Sequence, residues 1–165
     1  MGNSVSAAVQ GAVRHSERLY VPWWAWPLPV IGGVLLAAEI DMGYPGVRAW
    51  LPYVVLLPLV VALMLSLGRT RVRVTGAGPD GQEAELWVGD AHLPLRFAGE
   101  VEVIGKEAKR KALGPEGDPA GFAMHRGWVG PMVRVWLTDP DDPTPYWLFS
   151  TRNPEKVAEL LRAGS

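Results

Sequence analysis

The sequence predicts an α+β membrane protein: a two-helix transmembrane hairpin, then a cytosolic antiparallel β-sheet or open-barrel domain closed by a C-terminal helix. Three observations predict it. Two apolar runs without a charged residue occupy 21–38 and 50–67. Between 71 and 150 apolar and polar residues alternate in short runs, the period of half-buried strands. The final stretch, from 153 to 164, carries helix start and stop signals around an apolar stripe.

The run WLPYVVLLPLVVALMLSL at 50–67 is 18 residues long. At 1.5 Å per residue it covers ~27 Å, close to the ~30 Å hydrocarbon core of a bilayer. Arg69, Arg71 and Arg73 follow at once, and an apolar span ending in basic residues reads as a transmembrane helix with a cytoplasmic exit. The earlier run, VPWWAWPLPVIGGVLLAA at 21–38, competes with a cleaved signal peptide. It starts late, however, and Glu39 and Asp41 follow it where a small-residue cleavage site is needed. Pro22 suits a first turn, whereas Pro27 and Pro29 predict an irregular helix start and Pro58 a kink in the second helix. Trp23, Trp24, Trp26 and Trp50 are placed at the headgroup level, where an indole is half apolar and half hydrogen-bonded. Gly33 and Ala37 form a small-xxx-small pair that lets helix backbones approach.

The link at 39–49 is short and carries the turn residues Gly43, Pro45 and Gly46, so the helices, at about 21–39 and 50–67, are antiparallel neighbours. The N-terminal flank has Arg14 and Arg18, the C-terminal flank three arginines, and the link only Arg48. This bias predicts two plasma-membrane spans with both termini cytoplasmic. The domains are then a cytosolic N-terminal segment 1–20, the hairpin 21–68 and the cytosolic domain 69–165. Gly2 and Ser6 match an acylation pattern, to which two spans leave little to add.

In the domain, 71–75, 85–88, 92–97, 100–104, 132–137 and 146–150 read as strands. Clusters at 76–81 and 89–90 turn the chain, and Pro94 demotes 92–97 to an edge or bulge. The stretch 106–113 is polar and helix-prone. The run DPDDPTP at 139–145 is a rigid turn. Asn153 predicts an N-cap, with Pro154 at the first helical position and Glu155 in the first turn of a helix over 154–163. Val157, Leu160 and Leu161 give it one apolar face.

Several segments carry a resemblance: Glu17-Arg-Leu-Tyr-Val-Pro-Trp-Trp24, Gly43-Tyr-Pro-Gly-Val-Arg-Ala-Trp50, Gly68-Arg-Thr-Arg71, Pro94-Leu-Arg-Phe97 and Asp139-Pro-Asp-Asp-Pro-Thr-Pro-Tyr-Trp147. Through them the chain, from Arg14 onward, resembles an uncharacterised actinobacterial family of two-span membrane proteins of unknown function. The last strand and helix, 146–161, resemble the end of a bacterial pleckstrin-homology-like domain. That resemblance implies a bent sheet or open barrel plugged by its helix, and neither resemblance supplies an activity.

Composition limits function. The chain has 165 residues and no cysteine, which removes disulfides, thiolate nucleophiles and cysteine zinc sites. From 76 onward there are 14 acids and 10 bases, which argues against a nucleic-acid partner. No nucleophile elbow, phosphate loop or dinucleotide fingerprint occurs. His15, His92 and His125 lack helical partners for a metal. Asp139, Asp141 and Asp142 are spaced for a cation, but their prolines favour a turn. Hence no catalytic residue, metal, cofactor or small-molecule substrate is expected. Lys106, Lys109, Arg110 and Lys111 form the densest basic run in the domain, a contact for anionic lipid or a partner, or simply a solvated face.

The expected function is therefore a non-enzymatic adaptor or complex subunit, holding a small interaction domain against the inner leaflet for a protein partner or a second copy. The alternative is an anionic-lipid sensor using Arg69, Arg71, Arg73 and 106–111. A third reading is an enzyme pairing His125 with Asp118 or Glu116.

Overall fold

The structure, a computed structural model, describes residues 12–42, 46–78 and 81–164. The acylation pattern, Gly43 and Pro45 of the link, and Pro79 and Asp80 of the 76–81 turn lie outside these residues. The chain divides into two compact units, 20–69 and a second made of 1–19 with 70–165.

The 20–69 unit is a pair of helices, α1 (Pro27–Asp41) and α2 (Leu51–Leu67). A 3-10 turn precedes each, at Trp23–Ala25 and at Val47–Trp50. The irregular start expected from Pro27 and Pro29 is thus a 3-10 turn followed by a helix that begins at Pro27, where the missing N–H costs nothing. The helices pack through small residues. A Cβ on Gly33 would lie 3.1 Å from Val60 Cγ2, and Ala37 is fully buried. Most other side chains of the pair face outward, with Trp23 82%, Leu28 81% and Leu59 61% exposed. Among the described residues one helical stretch, Trp23–Ile40, is long and apolar enough to cross a membrane, and α2 is a shorter apolar helix of 17 residues. The ends of the unit meet: a Cβ on Gly68 would come within 3.6 Å of the Tyr20 Cα.

The other unit is an α+β domain of two four-stranded sheets and a C-terminal helix. The first sheet has the order β1 (Val13–Arg18), β2 (Arg71–Thr75), β3 (Glu85–Val88), β4 (Ala91–Pro94), all antiparallel. The second contains β5 (Ala98–Ile104), β6 (Phe122–Met124), β7 (Met132–Leu137) and β8 (Tyr146–Ser150), in the order β5-β7-β8-β6. Inward residues of both sheets, among them Val72, Val74, Leu86, Val133, Val135 and Phe149, share one core with Val157, Ala158 and Leu161 of helix α4 (Pro154–Arg162).

The sequence reading needs five corrections here. Residues 13–18 are no separate flank: they form β1, and Glu17 lies opposite Val72. The domain is therefore not 69–165 alone. The stretch 92–97 is not one strand, because Pro94 ends β4 and Leu95–Phe97 turns as a 3-10 helix. Pro94 has no N–H for the ladder, while Leu95 N–H reaches the Ala84 carbonyl at 2.8 Å. The helix expected at 106–113 is reduced to α3 (Lys109–Leu113), preceded by a turn on the Gly105 carbonyl. The short strand β6 pairs with β8 in parallel, the one departure from the antiparallel pattern among the described strands.

The fifth concerns Asn153, which precedes α4 without a side-chain cap bond. Its amide instead donates to Glu17 Oε2 at 3.1 Å, and Glu17 also accepts the Arg152 N–H at 3.2 Å. A carboxylate from β1 is thus held by the two residues just before the helix, where the helix dipole favours negative charge.

In the 139–145 turn, Asp139 accepts the Asp141 N–H at 3.0 Å and Asp142 accepts the Thr144 N–H at 2.8 Å. The side-chain and backbone hydrogen bonds from Thr144 hold the Asp142 carboxyl below the ordinary aspartate range. A carboxyl depressed on folding stabilises at higher pH and loses that contribution as pH falls through its folded value. Thr144→Val is expected to raise the Asp142 titration part of the way back, read by carboxyl NMR. An unmoved titration would exclude the hydroxyl as a donor.

Candidate functional site

Three sequence features make a groove in the domain: a basic turn, a five-residue helix and a glycine-rich loop. Lys106, Lys109 and Arg110 of the turn and α3 form one wall, and His125, Gly127 and Val129 form the other. The groove measures about 590 Å³ and has no acidic side chain in its lining. Gly114, Gly127 and Gly130 also line it, leaving backbone where side chains would otherwise fill the space.

Lys109 ties the walls together. Its ammonium donates to the Arg126 carbonyl at 2.7 Å and to the Val129 carbonyl at 2.5 Å. An ammonium has three N–H donors, so one remains. Burial pushes this ammonium below the ordinary lysine range.

The same loop is anchored on its other side. Arg126 N–H donates to Ser150 Oγ at 3.0 Å, and its guanidinium donates to Thr70 Oγ1. The Trp128 indole N–H donates to the Leu19 carbonyl at 3.2 Å. Leu19 N–H in turn donates to the Thr70 carbonyl at 3.0 Å. Leu19 and Thr70 are the residues that bracket 20–69 in the chain. The loop that walls the groove therefore also binds the two points where the chain leaves the domain and returns.

The predicted site residues divide accordingly. Lys106 and Arg110 are exposed and line the groove, while Lys109 is half-buried within it. Lys111 is exposed and outside the lining. Arg71 and Arg73 alternate with the buried Val72 and Val74, so they share the outward face of β2, and Arg71 lies opposite Arg18 of β1. Arg69 is exposed at the end of the helical unit; elsewhere in that unit Trp23, Trp24 and Trp50 are exposed and Trp26 is half-buried.

Neither Asp118 nor Glu116 joins His125 in the groove lining. Asp118 instead accepts the Ala120 N–H at 2.9 Å. His92 stacks on Trp87 with ring centroids 4.9 Å apart, and His15 Nε2 lies 3.7 Å from Glu17. Among the described residues no three His, Asp or Glu side chains gather as metal ligands would.

Sequence reasoning passed over Arg126 and Trp128. Their signal was a tryptophan and an arginine in a glycine-rich loop with no strand period, where an indole N–H needs a partner from elsewhere in the fold.

The fold and groove define a small α+β domain interrupted, after its first strand, by an apolar helical pair. The chain belongs to the family described as "Protein of unknown function (DUF3093)", which it matches over residues 14–161. The match takes in nearly all of β1 as well as the domain that follows. No curated protein and no solved structure matches the chain.

Proposed function

We propose that the protein is a membrane-anchored, non-enzymatic interaction module of the plasma membrane. Helices α1 and α2 cross the bilayer as an antiparallel pair, and both termini lie in the cytoplasm. The domain is held at the inner leaflet, where it serves a protein partner or a second copy. Its two sheets and closing helix support the pleckstrin-homology-like reading of its architecture.

The pairing of β1 with β2 carries this reading. The chain leaves the sheet at Leu19 and returns beside it at Thr70, so the intervening unit begins and ends on one side. A unit that returns to its starting side crosses a bilayer an even number of times, and two apolar helices give two crossings. The outward apolar side chains of α1 and α2 add support, since exposed apolar patches of such size mark membrane or protein contact. The 17 residues of α2 span ~26 Å, and the preceding turn extends it. Bases flank both ends of the pair: Arg14 and Arg18 before it, Arg69, Arg71 and Arg73 after it.

The absence of native cysteine makes the test direct. Single cysteines at exposed Ser16, Met42 and Thr138 are probed with a membrane-impermeant maleimide. Met42→Cys is expected to label in intact cells, and Ser16→Cys and Thr138→Cys only after permeabilisation. Labelling of Ser16→Cys and Met42→Cys from the same side would sink the two-span topology. For the interaction role, tagged full-length protein purified from native membranes is expected to bring a stoichiometric partner or a second copy. Recovery of the bare monomer would overturn that role.

A further inference from the structure

We propose that the groove between α3 and the 125–130 loop is a binding site for the headgroup of an anionic phospholipid of the inner leaflet. The inference rests on the membrane anchoring proposed above and adds a ligand to it.

Charge is the first argument. From residue 76 onward the chain carries 14 acids against 10 bases. The groove inverts that balance, with Lys106, Lys109 and Arg110 in its lining and no carboxylate. With the residues of β1 and β2 counted, the domain carries 15 acids against 14 bases, so the groove is a local concentration of positive charge, which draws counter-ions.

Shape is the second. The groove is an open depression of about 590 Å³, room enough for a small anionic group reaching in from outside. The glycines of the loop leave room for a phosphate to approach backbone. Lys109 holds two carbonyls and has one N–H left to give. An anion in the groove would also offset the burial that now disfavours its charge.

Position is the third. Arg126 and Trp128 hydrogen-bond Thr70 and Leu19, whose chain neighbours Arg69 and Tyr20 belong to the helical unit. Consecutive Cα atoms are ~3.8 Å apart. If that unit is in the bilayer, the two residues that the loop bonds are each one peptide away from it. A soluble ligand would not need a site tied to those two residues.

The test uses purified full-length protein in detergent, incubated with equal amounts of phosphatidylglycerol and phosphatidylcholine. Retained lipid is counted by native mass spectrometry. The unaltered chain is expected to retain phosphatidylglycerol preferentially, with the preference falling as salt rises. Lys106→Gln with Arg110→Gln is expected to weaken retention about 30-fold, and each single change about 5-fold. Lys111→Gln removes an equal charge outside the groove and is expected to change it less than about 2-fold. If the double variant melts early, the single variants carry the comparison.

Equal retention of both lipids, or a Lys111→Gln effect matching those of the groove variants, would overturn the assignment. Displacement of the lipid by an equal concentration of inorganic phosphate would overturn it too, in favour of a soluble phosphate ligand. Carbonate extraction of native membranes separates this failure from that of the anchoring. A protein released by carbonate loses the anchoring reading. One that stays integral but shows no lipid preference loses only the groove.

Discussion

Phe149→Ala is expected to cost the domain about 3–5 kcal/mol, the range for deleting a buried aromatic ring. Phe149 is fully buried in the core shared by both sheets and α4. On β8 it lies opposite Val133 of β7 on one side and Met124 of β6 on the other. Its removal therefore leaves a cavity bounded by elements from different parts of the chain, which cannot all collapse inward. Small domains have only about 5–15 kcal/mol of stability in total, so the variant should sit close to unfolding. Guanidinium titration of the full chain in detergent, followed by tryptophan fluorescence, measures the loss. Phe149→Leu keeps most of the volume and is expected to cost under about 1.5 kcal/mol. A loss below about 1 kcal/mol for alanine would mean that the ring is not enclosed as the structure has it.

The same β8 shows what was legible in the sequence. Strands β2, β3, β5, β7 and β8 announce themselves through apolar residues at alternate positions or, in β8, through an unbroken apolar run between turn signals. Helix α4 is equally clear, because Pro154, Glu155 and the 157–161 stripe all agree. β1 gives no such signal: VRHSER has one apolar residue, and its place comes from the backbone of β2. β6 is three residues long and has too few positions to show a period.

The site was half legible for a related reason. A basic run is visible as composition, but which of its members faces the groove depends on contacts made far away. Lys109 turns in because the carbonyls of Arg126 and Val129 lie across from it, 17 and 20 residues on. Trp128 meets Leu19 across 109 residues, and Asn153 meets Glu17 across 136. Spacing rules describe neighbours on one helix or strand. They contain no information about contacts at those separations.

Leu19→Ala provides the sharpest test of the part that was not legible, the inclusion of β1 in the domain. Leu19 is 1% exposed and packs in the core with Val72 and Val74, although its neighbour Tyr20 is 54% exposed. The expected loss is about 2–5 kcal/mol, and its distribution matters more than its size. Joining β1 to β2 closes a loop of 50 residues, 20–69, which for a flexible chain would cost about 3.5 kcal/mol of entropy. The helical pair lowers that cost by bringing its own ends together, as the approach of Gly68 to Tyr20 shows. β1 is still an edge strand, held by one ladder, by Leu19 and by the bonds of Glu17 to Arg152 and Asn153. Shortening Leu19 should therefore release β1 before the rest of the sheet. Hydrogen exchange of the 13–18 amides is expected to speed up well ahead of β2 and β3, with new tryptic cleavage at Arg14 and Arg18. Phe149→Ala, by contrast, should weaken both sheets together. If the domain were 69–165 alone, Leu19→Ala would leave both melting and exchange unchanged. That result would remove β1 from the fold, and with it the argument that the apolar pair starts and finishes on one side of the membrane.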